Sequence, residues 1–150
     1  MQTRYRTLMM GTLLVIVLIV SACTSEVKPS LGKAIVYKSP TCGCCEGYAK
    51  ALSSEGFDVQ VIKTDMDLIH SKFDIPMNMR SCHLVDIAGY IVEGHVPMTA
   101  VHKLLNERPQ IRGIALPNMP SGTPGMPGAK KGPYRIFSLT DNGTEDYLTI

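Results

Sequence analysis

Residues 34–62 read AIVYKSPTCGCCEGYAKALSSEGFDVQVI, and this stretch decides the expected fold. The run at 34–37 is short, apolar and rich in β-formers, which predicts a buried strand. A helix is expected over residues 44–55, because Gly56 follows it as glycine commonly does just past a helix end. Residues 57–62 alternate apolar and polar side chains and predict a second strand. Strand, cysteine-bearing turn, helix and strand form the opening of a thioredoxin-like domain.

The chain beyond residue 62 continues this order. Residues 65–73 have helical spacing, the apolar runs 82–87 and 90–92 predict an antiparallel hairpin, and residues 97–107 carry the apolar stripe of a further helix. The order β-α-β-α-β-β-α is the thioredoxin arrangement. We therefore expect an α/β fold, a thioredoxin-like mixed sheet flanked by helices.

Two features are expected after the last helix. Glycine and proline fill ten of the 21 positions of residues 113–133, so this segment is predicted to be a long loop without a regular element. Loops of that length in compact domains are usually functional or disordered. Residues 135–139 and 145–149 flank a turn at 141–144, which predicts a C-terminal hairpin.

The N-terminus has the layout of a secretory signal. Arg4 and Arg6 precede an uncharged stretch from Leu8 to Ala22, as a basic n-region precedes an apolar h-region. The alternative is a retained helical anchor, since the stretch approaches the length needed to span a bilayer.

The residues Val20-Ser21-Ala22-Cys23 favour cleavage over retention. They resemble the bacterial lipobox, in which the cysteine becomes the lipid-modified N-terminus. Thr24 in place of aspartate favours sorting to the outer membrane, by resemblance to Gram-negative lipoproteins. We therefore expect a periplasmic, lipid-anchored protein with three parts: a lipoprotein signal peptide at 1–22, a lipidated tether at 23–33 and a thioredoxin-like domain at 34–150.

The charge of the mature chain excludes one class of partner. Loss of Arg4 and Arg6 leaves 13 Lys and Arg against 13 Asp and Glu. No basic patch remains to attract a phosphate backbone, so no nucleic acid partner is expected. The exported compartment is oxidising, and free thiols there need a reason to stay free.

The motif Cys42-Gly43-Cys44-Cys45 places three thiols within four residues at the predicted strand-to-helix junction. The unpaired N–H groups and partial positive charge of a helix N-terminus favour thiolates, the species that exchange disulfides and bind metals. One interpretation is a thiol–disulfide oxidoreductase that acts on exported proteins through the CxxC of Cys42 and Cys45. Another is a passive lipoprotein stapled by a disulfide from Cys42 to Cys45 or Cys82.

The surplus sulfurs favour a metal site instead. A dithiol mechanism needs one attacking and one resolving thiol, so Cys44 has no role in it. Cys82 lies just before the third predicted strand, in a segment that passes beside the CxxC in thioredoxin-like folds. Four crowded thiols without a second CxxC fit Cu(I), a soft ion, better than zinc. The predicted metal ligands are therefore Cys42, Cys44, Cys45 and Cys82, and residues 34–150 are predicted to form a thioredoxin-like metal-binding domain.

Motifs along the chain strengthen this interpretation. Besides the cysteine motif they are Ser81-Cys82-His83, Gly89-Tyr90, Glu93-Gly94-His95-Val96-Pro97, residues 104–109 and the methionine-bearing segment 119–126. In this combination, from about Ala34 to Ile150, the chain resembles the CopG-type family of copper-resistance-associated proteins, long described only as a domain of unknown function. The resemblance implies a thioredoxin-like fold, a periplasmic location, copper on the motif cysteines as a multinuclear Cu(I)–thiolate cluster, and a role in Cu(I)/Cu(II) redox handling. The chain departs from the family at Tyr48 and Ala51, where tryptophan and histidine are common.

Histidines and methionines supply further candidates. His83 and His95 are candidate ligands or neighbours of the metal, mainly through the resemblance. His83 follows Cys82, and strand alternation would turn its side chain to the opposite face unless the backbone is irregular there. Thioether sulfur suits Cu(I), so Met126 and its loop neighbour Met119 are also candidates. His70 and His102 lie within predicted helices and are expected at the surface. Copper-handling or reductant proteins are expected partners.

Overall fold

The computed structural model describes residues 30–150. The predicted signal peptide, Cys23 and the tether up to residue 29 lie outside the described residues. The tether prediction reaches residue 33, but Leu31 donates a backbone hydrogen bond to Gly56 and Gly32 accepts one from Asp58, each at 2.9 Å.

The elements are β1 (Lys33–Lys38), α1 (Gly43–Glu55), β2 (Asp58–Lys63), α2 (Met66–Lys72), a 3-10 helix (Met77–Met79), β3 (His83–Ile87), β4 (Tyr90–Glu93), α3 (Met98–Glu107), β5 (Gly113–Ala115), β6 (Arg135–Thr140) and β7 (Gly143–Thr149).

The strands form one mixed sheet in the order β2-β1-β3-β4-β5-β6-β7. β1 is parallel to β2, and β4 is parallel to β5; the other neighbours are antiparallel. This is the α/β class expected from the sequence. Within residues 30–150 there is no helix with the length and apolar character needed to cross a membrane.

The strand β5 corrects the expectation that residues 113–133 contain no regular element. Gly113, Ile114 and Ala115 pair with β4 on one side and with β6 on the other. Three residues are too few to produce a periodic pattern in the sequence. Gly113 is required for a tertiary reason, because a Cβ there would collide with the carbonyl oxygen of Ile91 on β4. From Leu116 to Tyr134 the chain has no helix or strand; we call this segment the site loop.

Alternate residues of each central strand point to opposite faces of the sheet. On one face Val36 and Val85 share a core with α1, including its Tyr48, and with α3. On the other face Leu84 shares a core with α2, including its Ile69. Fully buried strands carry apolar residues at successive positions. The two-sided core holds the C-terminal end of β1 beside the first residue of β3. The cysteines lie next to these two strand ends.

Candidate metal centre

Two chain segments meet at the cysteines because β1 and β3 are antiparallel neighbours. The backbone N–H of Ser39, just after β1, donates to the carbonyl of Cys82 at 3.0 Å. Cys42 is the N-cap of α1, and its sulfur accepts the N–H of Cys45 at 3.3 Å. The sheet register thus places Cys82, distant in sequence, beside the first turn of α1.

The four sulfurs form one compact group. Their Sγ atoms all lie within 4.8 Å of one another. Cys42 and Cys45 are joined by a disulfide, while Cys44 and Cys82 are free. The Sγ of Cys82 lies 3.2 Å from that of Cys42 and 3.2 Å from that of Cys45, and the Sγ of Cys44 lies 3.4 Å from that of Cys42. All four cysteines selected from the sequence are therefore brought together.

A fifth sulfur comes from the site loop. The Sδ of Met119 lies 3.5 Å from the Sγ of Cys82, and the Met119 side chain is 38% exposed. Met126, the other candidate from the sequence, lies half-buried further along the loop, where its backbone N–H donates to the carbonyl of Thr123. The methionine in sulfur contact is thus Met119.

Cys82 also belongs to a second group of possible donors. One ligand atom each from Cys82, His83 and His95 lies within 4.8 Å of the other two. The two imidazole rings are 4.6 Å apart between centroids and nearly perpendicular. Cys82 is a bend residue that precedes β3, so strand alternation does not separate its side chain from that of His83.

The two histidines are buried and incompletely hydrogen-bonded. His95 donates from Nδ1 to the carbonyl of Pro124 at 2.7 Å, which leaves its neutral Nε2 with a free lone pair. Within residues 30–150, three ring nitrogens have no hydrogen-bond partner: both nitrogens of His83 and the Nε2 of His95. Tyr48 packs against both rings and donates its hydroxyl to the carbonyl of Val96 at 2.8 Å. Unpartnered buried nitrogens are costly, and a bound cation would satisfy them.

Burial disfavours the charged forms of Cys82, His83 and His95. Burial, followed by proximity to His95, lowers the pKa of His83 to about 3, and burial also lowers the pKa of His95. Burial, followed by the charge of Cys44, raises the pKa of Cys82 to about 11. The imidazoles are therefore neutral and able to bind a metal at neutral pH, whereas Cys82 keeps its proton until a cation displaces it.

The site loop lies directly on the first turns of α1. Gly47 and Gly125 approach so closely that a Cβ on Gly47 would come within 2.8 Å of the Cα of Gly125. A Cβ on Gly125 would come within 2.6 Å of the carbonyl oxygen of Cys44. This contact and the bond from His95 to Pro124 hold the loop, and with it Met119, against the cysteines.

His70 corrects an expectation from the sequence. It was expected at the surface, but it is 3% exposed, and its Nε2 lies 3.3 Å from Oε1 of the fully buried Glu93. Helical spacing on α2 does not reveal a polar partner on a strand. His102 is partly exposed and lies 2.8 Å from Glu55. Glu93 was not selected as a site residue, although an acidic residue closing the apolar run of β4 was a usable signal.

The donor set suits a soft ion. Thiolate, thioether and imidazole are the ligands that Cu(I) prefers, whereas hard cations require oxygen. With the disulfide intact, Cys44, Cys82, Met119 and the two histidines remain as donors; reduction adds the thiolates of Cys42 and Cys45. The number of available donors therefore depends on the redox state of one bond.

Comparisons with known proteins agree with this chemistry. A family model described as "Protein of unknown function, DUF411" matches residues 79–126. A solved structure named copper resistance protein CopG, form 1, is 36% identical, covers 82% of this chain and 98% of its own, and superposes with a TM-score of 0.72. Form 2 is also 36% identical, covers 79% of this chain and 97% of its own, with a TM-score of 0.71. A search of curated proteins gave no match.

Proposed function

This chain belongs to the CopG-type copper-resistance family, and from that premise we propose that it binds Cu(I) on Cys42, Cys44, Cys45 and Cys82. Its role is copper homeostasis and resistance in the periplasm. The observation that carries the proposal is the position of Cys82, whose Sγ lies 3.2 Å from both sulfurs of the CxxC. Cu(I) accepts two or three sulfurs, and a thiolate at the centre of such a group can bridge two ions.

The sharing of Cys82 supports a multinuclear site. One copper position uses the sulfurs of the cysteine motif, with Met119 at its exposed side. A second uses Cys82, His83 and His95, whose free nitrogens would otherwise be buried without partners. Met126, in the same site loop as Met119, is a further proposed ligand. Because bridging thiolates count toward both positions, the cluster needs fewer cysteines than two separate sites.

The Cys42–Cys45 pair supports a redox role as well. Two Cu(II) ions accept one electron each from the two thiolates, which join as the disulfide, and two Cu(I) ions result. The protons of the thiols pass to solvent. The donors that remain are the soft ones that retain Cu(I), and an exported reductant restores the dithiol. The substrate of this reaction is the copper ion itself.

The second candidate function is a thiol–disulfide oxidoreductase. The observed disulfide between Cys42 and Cys45 favours it, because a CxxC at a helix N-terminus is the arrangement that exchanges disulfides with substrate proteins. Cys44 again separates the candidates, since it is needed only for copper.

The compartment and the detailed fold complete the proposal. We propose that Cys23 is lipidated and that the protein is anchored in the periplasm at the outer membrane. The part from β1 to α3 is thioredoxin-like: its element order is that of the thioredoxin arrangement, and the cysteine motif begins its first helix. β5, β6, β7 and the site loop form a C-terminal addition to it.

The test compares the wild-type protein with Cys44→Ser and Cys82→Ser. The reduced wild type should bind several equivalents of Cu(I), with thiolate-to-copper charge-transfer absorption, and each variant should bind fewer. Anaerobic Cu(II) should yield two Cu(I) per disulfide formed in the wild type. Disulfide reduction of an insulin-type substrate is measured in parallel. Unchanged copper loading in both variants, with strong reductase activity, would replace the copper proposal by the oxidoreductase.

A further inference from the structure

Glu93 is a fully buried carboxylate at the end of β4, 0% exposed. Its Oε1 accepts the backbone N–H of Ser81 at 2.5 Å and lies 3.3 Å from Nε2 of His70. Its Oε2 has no partner among residues 30–150. A buried carboxylate is costly even when it is partnered, so its presence at this place calls for a specific role.

Glu93 binds Ser81, and Ser81 begins a segment that carries two of the possible metal donors, Cys82 and His83. Ser81, Cys82 and His83 are consecutive, and the hydroxyl of Ser81 also donates to the carbonyl of His83 at 2.9 Å. The carbonyl of Cys82 is held by Ser39 at the end of β1. Glu93 thus fixes one end of a three-residue segment whose centre is fixed by another strand. The orientation of the Cys82 and His83 side chains depends on both attachments.

We propose that Glu93, supported by His70, is a positioning residue for copper. It holds the backbone at Ser81 so that the sulfur of Cys82 stays between Cys42 and Cys45 and the ring of His83 faces His95. This inference rests on the proposed copper site. It assigns a function to the buried pair of His70 on α2 and Glu93 on β4, which are not among the proposed copper ligands.

Two substitutions of Glu93 separate the effect of its side-chain length from the effect of its charge. Aspartate at position 93 keeps the charge, but its side chain is shorter by one bond of about 1.5 Å, so the N–H of Ser81 loses its acceptor. Glutamine keeps the reach and an acceptor oxygen and removes the charge. Because Oε1 of Glu93 already lies 2.5 Å from the backbone nitrogen of Ser81, the length of the side chain is the property that this contact requires.

The experiment measures Cu(I) affinity and the alkylation of Cys82 in Glu93→Asp and Glu93→Gln. Alkylation is performed on the metal-free disulfide form, in which Cys44 and Cys82 are the free thiols of the described residues, so Cys44 serves as an internal reference in mass spectrometry. Glu93→Asp should weaken Cu(I) binding by about tenfold, the effect of one lost buried hydrogen bond. It should also raise the ratio of Cys82 to Cys44 alkylation. Glu93→Gln should match the wild type in both measurements.

The chain offers a matched control in its second Glu–His pair. Glu55 and His102 are 2.8 Å apart, and Glu55 ends α1 at roughly 20 Å from Cys42 by helix geometry. Glu55→Asp and Glu55→Gln should leave both measurements unchanged. If Glu93→Asp does not fold, His70→Asn replaces it, because it withdraws the other contact from the same oxygen; about threefold weaker copper binding and faster Cys82 alkylation are expected.

The outcomes distinguish this inference from the proposed function. Wild-type protein that takes up no Cu(I) defeats the copper site, while the alkylation ratio still reports on positioning. Wild-type affinity and alkylation in Glu93→Asp, or in His70→Asn where that variant replaces it, would overturn the positioning role. Equal losses in Glu93→Gln and Glu93→Asp would overturn it in favour of charge.

Discussion

At the scale of single residues, the sulfur of Cys82 is the centre of the site. It contacts the sulfurs of Cys42, Cys45 and Met119 and belongs to the group that includes the buried imidazoles. Since burial raises the pKa of Cys82 to about 11, copper binding there releases a proton at neutral pH. Copper affinity at this residue should therefore depend on pH as well as on redox state.

The buried imidazole of His83 predicts how the stability of the metal-free protein depends on pH. Burial lowers the pKa of His83 from the ordinary 6.5 to about 3. Between these values the unfolded chain binds more protons than the folded chain, so stability decreases as the pH falls below about 6.5. His83→Gln cannot titrate and should show a smaller decrease in Tm between pH 7 and pH 4.5. Parallel Tm curves for the two proteins would contradict the prediction.

At the scale of elements, the contact between the site loop and α1 decides where Met119 lies. The loop has no helix or strand to support it, and its position depends on close backbone contact between Gly125 and Gly47 and on the bond from His95 to Pro124. A side chain at the glycine contact would separate the loop from the helix. The glycines of this loop are therefore packing residues as much as turn residues.

The pair Gly125→Ala and Gly128→Ala tests this contact. Both glycines have left-handed φ, +83° and +85°, so alanine costs roughly 1–2 kcal/mol at either position. Only at Gly125 does the new Cβ also meet the α1 backbone, at 2.6 Å, and overpacking adds about 1–3 kcal/mol. Gly125→Ala should therefore have the lower Tm and weaker Cu(I) binding. Equal effects in thermal unfolding and copper titration would show that the contact is unimportant.

At the scale of the whole molecule, the cysteine cluster lies at the C-terminal end of β1 and the start of β3, and the proposed anchor precedes β1. β1 begins at Lys33, ten residues after Cys23 in the sequence. An extended chain of that length spans at most about 35 Å. A lipidated protein would thus hold the start of β1 within that distance of the membrane surface, with the cysteines at the opposite end of this strand.

Replacement of Cys23 tests the anchor. Cys23→Ser removes the sulfur that would carry the lipid, so the protein should lose fatty-acid labelling and accumulate as an uncleaved precursor. Metabolic labelling and fractionation measure both, and Cys44→Ser is the control for loss of a cysteine elsewhere. A wild-type chain that takes up no fatty acid argues against lipidation, and a Cys23→Ser protein that stays in the membrane supports a retained helix.

Local pattern predicted most of the elements. The alternation at residues 57–62 and the apolar stripe at 97–107 led to β2 and α3 with bounds close to those observed. Such segments are predictable because side-chain period reports local geometry. The strand β5 was missed, since a strand of three residues exists through its neighbours β4 and β6 and carries no period of its own.

The sequence by itself determined the α/β class, the cysteine motif at the start of α1 and the soft-donor character of the site, because these follow from local spacing and from the chemistry of residue types. Only the tertiary structure decided that Cys82 lies between Cys42 and Cys45, that Met119 contacts Cys82, and that His70 and Glu93 are buried together. These contacts join residues 23 to 40 positions apart. Their existence depends on the register of β1 against β3, on the path of a loop and on the position of α2 relative to β4, and none of these is encoded in a local pattern.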